Sequence, residues 1–168
     1  QTFYGCSRGS SAIEIREAGM DDFEVQDVKH GEVRTLYYFS KVDGTWRPLM
    51  VYTPAGYNEG SESYPVVYIQ HGGGEDHRGW MEQGRTAQIM DNLIAAGKAK
   101  PMIVVFTNGN ISQEAAPLEN STGYTRPTMS LPQTMEGTFE TAFPEIVKFI
   151  DSRYRTIAKK QGRAICGL

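Results

Sequence analysis

Cysteine is scarce in this chain: Cys6 and Cys166 lie at opposite ends of the 168 residues, and neither belongs to a CxxC or Cys/His spacing. Such a pattern argues against a metal site, and nothing in it implies a cofactor. No apolar run approaches the roughly 20 residues that a membrane-spanning helix needs, and Gln1 opens no signal peptide. The start therefore reads as internal to a longer precursor. Basic residues are not in excess either, because 17 Lys and Arg stand against 20 Asp and Glu for a net charge of -3. With no basic face and no run of like charge, nucleic acid is not an expected partner. Hydrophobic content of 39% leaves enough apolar residues for one domain with a real core.

The most informative stretch is Val66-Val67-Tyr68-Ile69-Gln70-His71-Gly72-Gly73-Gly74, a β-branched and aromatic run that ends in bare backbone. Three consecutive glycines cost conformational entropy, so they suggest a loop whose N–H groups must approach something closely. A developing negative charge is one such target, and an oxyanion hole is built this way. A flexible turn between strand and helix is the plainer reading of the glycines.

Around this stretch the chain alternates. Val33 to Ser40 and Trp46 to Thr53 bracket Asp43-Gly44, a hairpin signal, and are expected to form an antiparallel hairpin at a sheet edge, where Pro48 is tolerated. A strand over Val66 to Gln70 precedes a helix near Gly84 to Ala96, with Ala87, Met90, Leu93 and Ile94 on one face and Gly97 as a left-handed cap. Next come a strand over Met102 to Thr107, a helix from about Phe143 to Tyr154 with Pro144 in its first turn, and a short strand from Ala164 to Cys166. Continuous apolar strands separated by helices predict an α/β fold, a mostly parallel doubly wound sheet covered on both faces. Cys166 is expected to be a buried core thiol of the last strand. Residues 1–29 read as a lead-in or linker, and residues 111–138 as a long loop. The Asn120-Ser121-Thr122 sequon in that loop reads as a chance pattern.

Where the chain stops is equally telling. Its last strand runs into Gly167-Leu168, the opening of a Gly-x-Ser-x-Gly elbow whose serine would be the next residue. From about His30 to Leu168 the chain resembles the esterase D-like branch of the α/β-hydrolases, in particular the feruloyl and acetyl-xylan esterases of carbohydrate esterase family 1. The matching stretches are His30-Gly31-Glu32-Val33, Val51-Tyr52-Thr53-Pro54-Ala55-Gly56-Tyr57, Tyr64-Pro65-Val66-Val67-Tyr68 with His71-Gly72-Gly73-Gly74, Lys100-Pro101-Met102-Ile103-Val104-Val105, and Phe149-Ile150-Asp151-Ser152-Arg153-Tyr154-Arg155-Thr156.

The resemblance implies an α/β-hydrolase domain of which residues 30–168 are the N-terminal part, ending just before the nucleophile serine. The acid and the histidine of the triad would lie further on. It implies a serine esterase that releases feruloyl or acetyl groups from plant polysaccharide such as xylan. Secretion or a periplasmic location, and an upstream carbohydrate-binding domain, come with the same resemblance. Alternatives on the same fold are S-formylglutathione hydrolase-like or peptidase-like chemistry, or a non-catalytic carbohydrate-binding relative.

Position within the family pattern puts an oxyanion-hole backbone donor on Gly73, with Gly74 as the fallback. His71 is expected to brace that loop through hydrogen bonds rather than to act as a base, and His77 to face solvent. Glu75 and Asp76 are adjacent and diverge, which makes a poor acid/base pair. Trp80 is a candidate aromatic platform for a phenolic acyl group or sugar ring, or else a core residue. Asn108 ends a strand at the edge where open α/β sheets bind ligands, and is a candidate substrate-binding residue or simply part of an Asn-Gly turn.

Overall fold

The computed structural model describes residues 2–5, 8–11, 15, 18–19, 21–72, 75–109 and 138–167. Seven strands occur among them, namely β1 (Thr2–Gly5), β2 (Arg8–Ser11), β3 (Glu32–Ser40), β4 (Thr45–Thr53), β5 (Val66–Gln70), β6 (Ile103–Thr107) and β7 (Arg163–Gly167). The helices are α1 (Gly79–Glu82), α2 (Thr86–Ala95) and α3 (Thr138–Arg153). Strands β1 and β2 form a separate antiparallel pair in a segment whose Gly- and Ser-rich sequence carries no strand period.

The other five strands form one sheet in the order β3-β4-β6-β5-β7. The β5 strand pairs in parallel with both β6 and β7, whereas β4 runs antiparallel to β3 and β6. Four of the five strands thus point the same way, and their C-terminal ends share one edge. The hairpin sits at the sheet margin as expected, with Phe39 opposite Trp46 and Ser40 opposite Thr45. Pro48 lacks a ladder N–H, and β4 accordingly pairs with β6 only from Met50 to Tyr52, beyond the proline.

Alternation along the strands separates two cores. Val66, Tyr68, Ile103 and Val105 face one way and pack with Ile146 and Ile150 of α3, joined by Leu49 and Val51. Val104 and Phe106 face the other way, with Tyr52, Met81 and Met90, and Ile69, Ala87 and Ile94 pack against them. Helices therefore cover both faces, which explains why β6 is buried along its whole length. Each wholly buried Val, Ile or Leu contributes about 1.5–3 kcal/mol.

The helices and the last strand differ from the sequence reading. The single helix expected near Gly84 to Ala96 is broken into α1 and α2, because Arg85 takes a left-handed φ of 48° and Gly84 lies so close to Trp80 that a Cβ would come 2.5 Å from its carbonyl oxygen. Its far end is as expected: Gly97, at φ 67°, donates to Ile94 O while Lys98 N donates to Leu93 O, closing the helix. Helix α3 starts at Thr138 rather than Phe143, which puts Pro144 inside it. Phe139 and Phe143, 5.9 Å apart and packed on the core, favour the longer helix despite the lost N–H. Cys166 is exposed, not buried, and Ile165 beside it is 62% exposed, because β7 is the end strand of the sheet among the described residues. Cys6, Asn120 and the loop after Gly109 lie outside the described residues.

A buried carboxylate locks the opposite edge. Asp91 of α2 accepts the Gly31 N–H at 2.8 Å, the Tyr52 hydroxyl at 2.7 Å and His30 Nδ1–H at 2.9 Å. Burial, then the hydrogen bond to Asp91, pushes the Tyr52 phenol well above its ordinary range. Asp91→Ala would leave the buried Tyr52 hydroxyl and the half-buried Gly31 N–H unpaired and is expected to lower stability by about 2–4 kcal/mol, against about 1 kcal/mol for Tyr52→Phe. Urea denaturation of both variants measures the difference, and equal losses would remove Asp91 from this role.

Candidate active site

The C-terminal edge of the parallel strands gathers the ends of β5, β6 and β7, because their registers align Gln70 with Thr107 on one side and with Gly167 on the other. In an open α/β sheet this is the edge where ligands bind. At the end of β5 the chain leaves the sheet through His71, whose side chain is buried. Its Nε2 accepts the Gly109 N–H at 3.0 Å and its Nδ1–H donates to the Gly72 carbonyl at 2.7 Å. A backbone N–H can only donate, so this pair of contacts assigns the proton to Nδ1. The ring thereby ties the turn after β5 to the turn after β6. The Gly72 N–H completes the turn by reaching Glu75 Oε2 at 3.3 Å.

His77 is not solvent-facing but buried, at 5% exposure, which overturns the expectation for it. A histidine seven residues beyond the strand end is brought inside because α1 follows at once, with Gly79 N–H donating to Asp76 O at 3.0 Å. Burial holds the His77 imidazole below its usual value, down to about 4. The nearby Asp76 carboxylate pulls the other way, and Arg78, His71 and Arg47 add to the lowering. Asp76 is buried too. Burial alone would raise its carboxyl, but Arg78 donates to Oδ1 and Oδ2 at 3.3 and 3.1 Å, and the net shift is downward. Glu75 and Asp76 thus serve separate contacts, as their divergence suggested.

Trp80 is 36% exposed and anchored, its indole N–H donating to the Gln70 carbonyl at 3.1 Å. That places an aromatic side chain at the end of β5 with part of its surface open. Asn108 is buried at the end of β6, its carbonyl accepting from Arg47 at 2.7 Å and its side-chain amide 3.5 Å from His77 Nδ1. Gly73 and Gly74 lie outside the described residues. Among the described residues no group of three or more His, Cys, Asp or Glu side chains could hold a metal ion, and no helix is long and apolar enough to cross a membrane.

Arg47 is the residue that sequence reasoning passed over. It is 1% exposed, its Nε lies 3.7 Å from the equally buried Asp43 carboxylate, and it hydrogen-bonds the Tyr38 hydroxyl. Burial pulls the guanidinium below its ordinary value and pushes the Tyr38 phenol up to about 12. The period of two was the available signal, since Arg47 falls on the same face of β4 as Leu49 and Val51, which pack in the core against α3.

Because His77 binds its proton more weakly folded than unfolded, stability is expected to be full above about pH 6.5 and to fall as pH drops towards 4. Asp76, held low as well, acts in the same direction at still lower pH. Denaturant midpoints for wild type and His77→Gln between pH 7 and 4.5 check this, the variant giving the flatter profile. An unchanged slope in the variant would assign the acid sensitivity elsewhere.

Comparison with known proteins agrees with this architecture. The Esterase family model matches residues 40–168. An endo-1,4-beta-xylanase/feruloyl esterase of Xylanibacter ruminicola is 35% identical over 99% of this chain and 22% of its own length. A ferulic acid esterase structure aligns at 33% identity with a TM-score of 0.62, covering 82% of this chain and 49% of that one. The ferulic acid esterase of Anaeromyces mucronatus, solved with ferulic acid, aligns at 25% identity with a TM-score of 0.68, covering 94% of this chain and 56% of that one. The chain thus spans about half the length of these solved structures and about a fifth of the curated relative. With an α/β-hydrolase sheet and a family match over most of its length, the chain belongs to the Esterase family.

Proposed function

We propose that this chain supplies the oxyanion side of a serine carboxylic-ester hydrolase of the feruloyl esterase type, acting on acyl groups of plant polysaccharide such as xylan. The observation that carries this reading is the His71 clamp, which holds the Gly72 carbonyl and the Gly109 N–H at the edge where β5, β6 and β7 end. A rigid turn of that kind is what preorganised backbone donors require. Similarity to a xylanase/feruloyl esterase and to an esterase solved with ferulic acid favours the feruloyl group.

In this reading residues 30–168 are the N-terminal part of the hydrolase domain, and residues 1–29 lead in from an upstream, carbohydrate-binding domain of a secreted protein. The nucleophile serine follows Leu168, and the acid and histidine lie further along. The serine hydroxyl, deprotonated by the histidine, attacks the ester carbonyl, and the tetrahedral oxyanion is received by the Gly73 N–H, with Gly74 adjacent. Collapse expels the sugar hydroxyl, protonated by the histidine, and water then releases ferulate. Trp80, partly open at the end of β5, offers its ring to the phenolic group.

The full-length protein is expected to hydrolyse methyl ferulate, and the 168-residue chain by itself to show no turnover of p-nitrophenyl acetate. Gly73→Val in the full-length protein should lower kcat by about 10²-fold, with a smaller change in KM, as for loss of one oxyanion donor. A variant that kept kcat and lost only melting temperature would reduce the glycine run to a structural turn.

A further inference from the structure

A continuous line of hydrogen bonds runs from the edge hairpin to the turn after β5, and its two ends lie on strands that are not neighbours in the sheet. At one end stands Arg47, wholly buried on β4 and paired with the Asp43 carboxylate at 3.7 Å. Its guanidinium donates to the Asn108 carbonyl at 2.7 Å. The Gly109 N–H belongs to the same peptide bond as that carbonyl, and it donates to His71 Nε2 at 3.0 Å. His71 Nδ1–H then donates to the Gly72 carbonyl at 2.7 Å.

A peptide unit is planar, so a group that holds its carbonyl also aims its N–H. The Asn108–Gly109 peptide is gripped at both ends, by a cation on one side and an imidazole on the other. A charge-assisted bond to the carbonyl polarises the peptide and strengthens the donation from its N–H. The carbonyl of Gly72 is fixed in turn by the imidazole.

We propose that Arg47 is a positioning residue for the ester hydrolysis, orienting the Asn108–Gly109 peptide so that His71 keeps one tautomer and one ring position against the turn after β5. This rests on the esterase reading above. Arg47 touches no substrate; it acts through two peptides and one imidazole. The guanidinium reaches a buried carbonyl that lies beyond the β4–β6 ladder, which pairs only Met50, Val51 and Tyr52 of β4. A displacement of about 1 Å at a reacting centre can cost 10²-fold in rate, so a loosened turn should register in kcat.

Removing Arg47 alone would strand the Asp43 carboxylate, so the variant for the test is the double Arg47→Met with Asp43→Asn, made in the full-length protein and accompanied by Arg47→Lys. Two readouts are taken together: kcat and KM on methyl ferulate, and the ring-nitrogen NMR shifts of His71. The double variant should lose at least tenfold in kcat with KM within about threefold, while the His71 shifts move from a single Nδ1–H form towards an average of two tautomers. Arg47→Lys, with one compact donor in place of a fork, should show the same changes to a smaller degree, and it decides the matter if the double variant does not fold. Unchanged kcat, or lost kcat with the His71 shifts intact, overturns the role of Arg47. An inactive wild-type protein would instead overturn the esterase reading, and the turnover role would fall with it.

Discussion

Strand β5 is held between two parallel partners, and most of the architecture follows from that pairing. Val66 stands opposite Ile103 on one side and Arg163 on the other, and the register continues without a slip to Gln70. Slipping β6 by one residue would turn Val105 away from α3 and put Phe106 in the wrong core. The same register brings three strand ends to a common edge. The loop after β5 starts there, so the position of His71 and Gly72 is a consequence of sheet pairing before any side chain of the site contributes.

Buried charge then sharpens what the apolar core leaves loose. Asp91 fastens the start of β3 and the end of β4 to α2 at one edge, and Arg47 fastens the hairpin to the end of β6 at the other. Asp91 accepts three hydrogen bonds, and Arg47 donates to the Asn108 carbonyl and bonds the Tyr38 hydroxyl, which is the kind of pairing that makes burying a charge tolerable. Each joins residues about forty to sixty positions apart in the chain, contacts that a non-directional hydrophobic core cannot specify. His77 and Asp76 show the complementary case. Two titratable neighbours sit buried under one turn, the imidazole kept neutral by desolvation and the carboxylate kept charged by Arg78.

The outer face of β7 follows a different rule. Among the described residues β7 pairs with β5 alone, and Ile165 and Cys166 are open to solvent although Tyr68, opposite Ile165, is buried. β7 is thus the end strand among the described residues of a chain that covers about half of the solved esterases it resembles.

The order of elements was legible in the chain. Apolar runs of five residues separated by amphipathic helices could only make a covered, mostly parallel sheet, and Asp43-Gly44 between two alternating runs marked the hairpin. The glycines after His71 marked the turn at the strand end. What the sequence determined by itself was therefore local: strand and helix periods, the left-handed cap at Gly97, and the approximate strand ends. Tertiary structure alone decided which polar groups went inside. Residues such as Arg47, Asp76 and His77 have polar side chains that solvent would accept equally well, and Arg47 and His77 meet inside at Asn108, a partner distant in the chain that only folding assembles. Cys166 is the converse, an apolar-strand residue left exposed because burial belongs to the neighbours a strand acquires and not to its own composition.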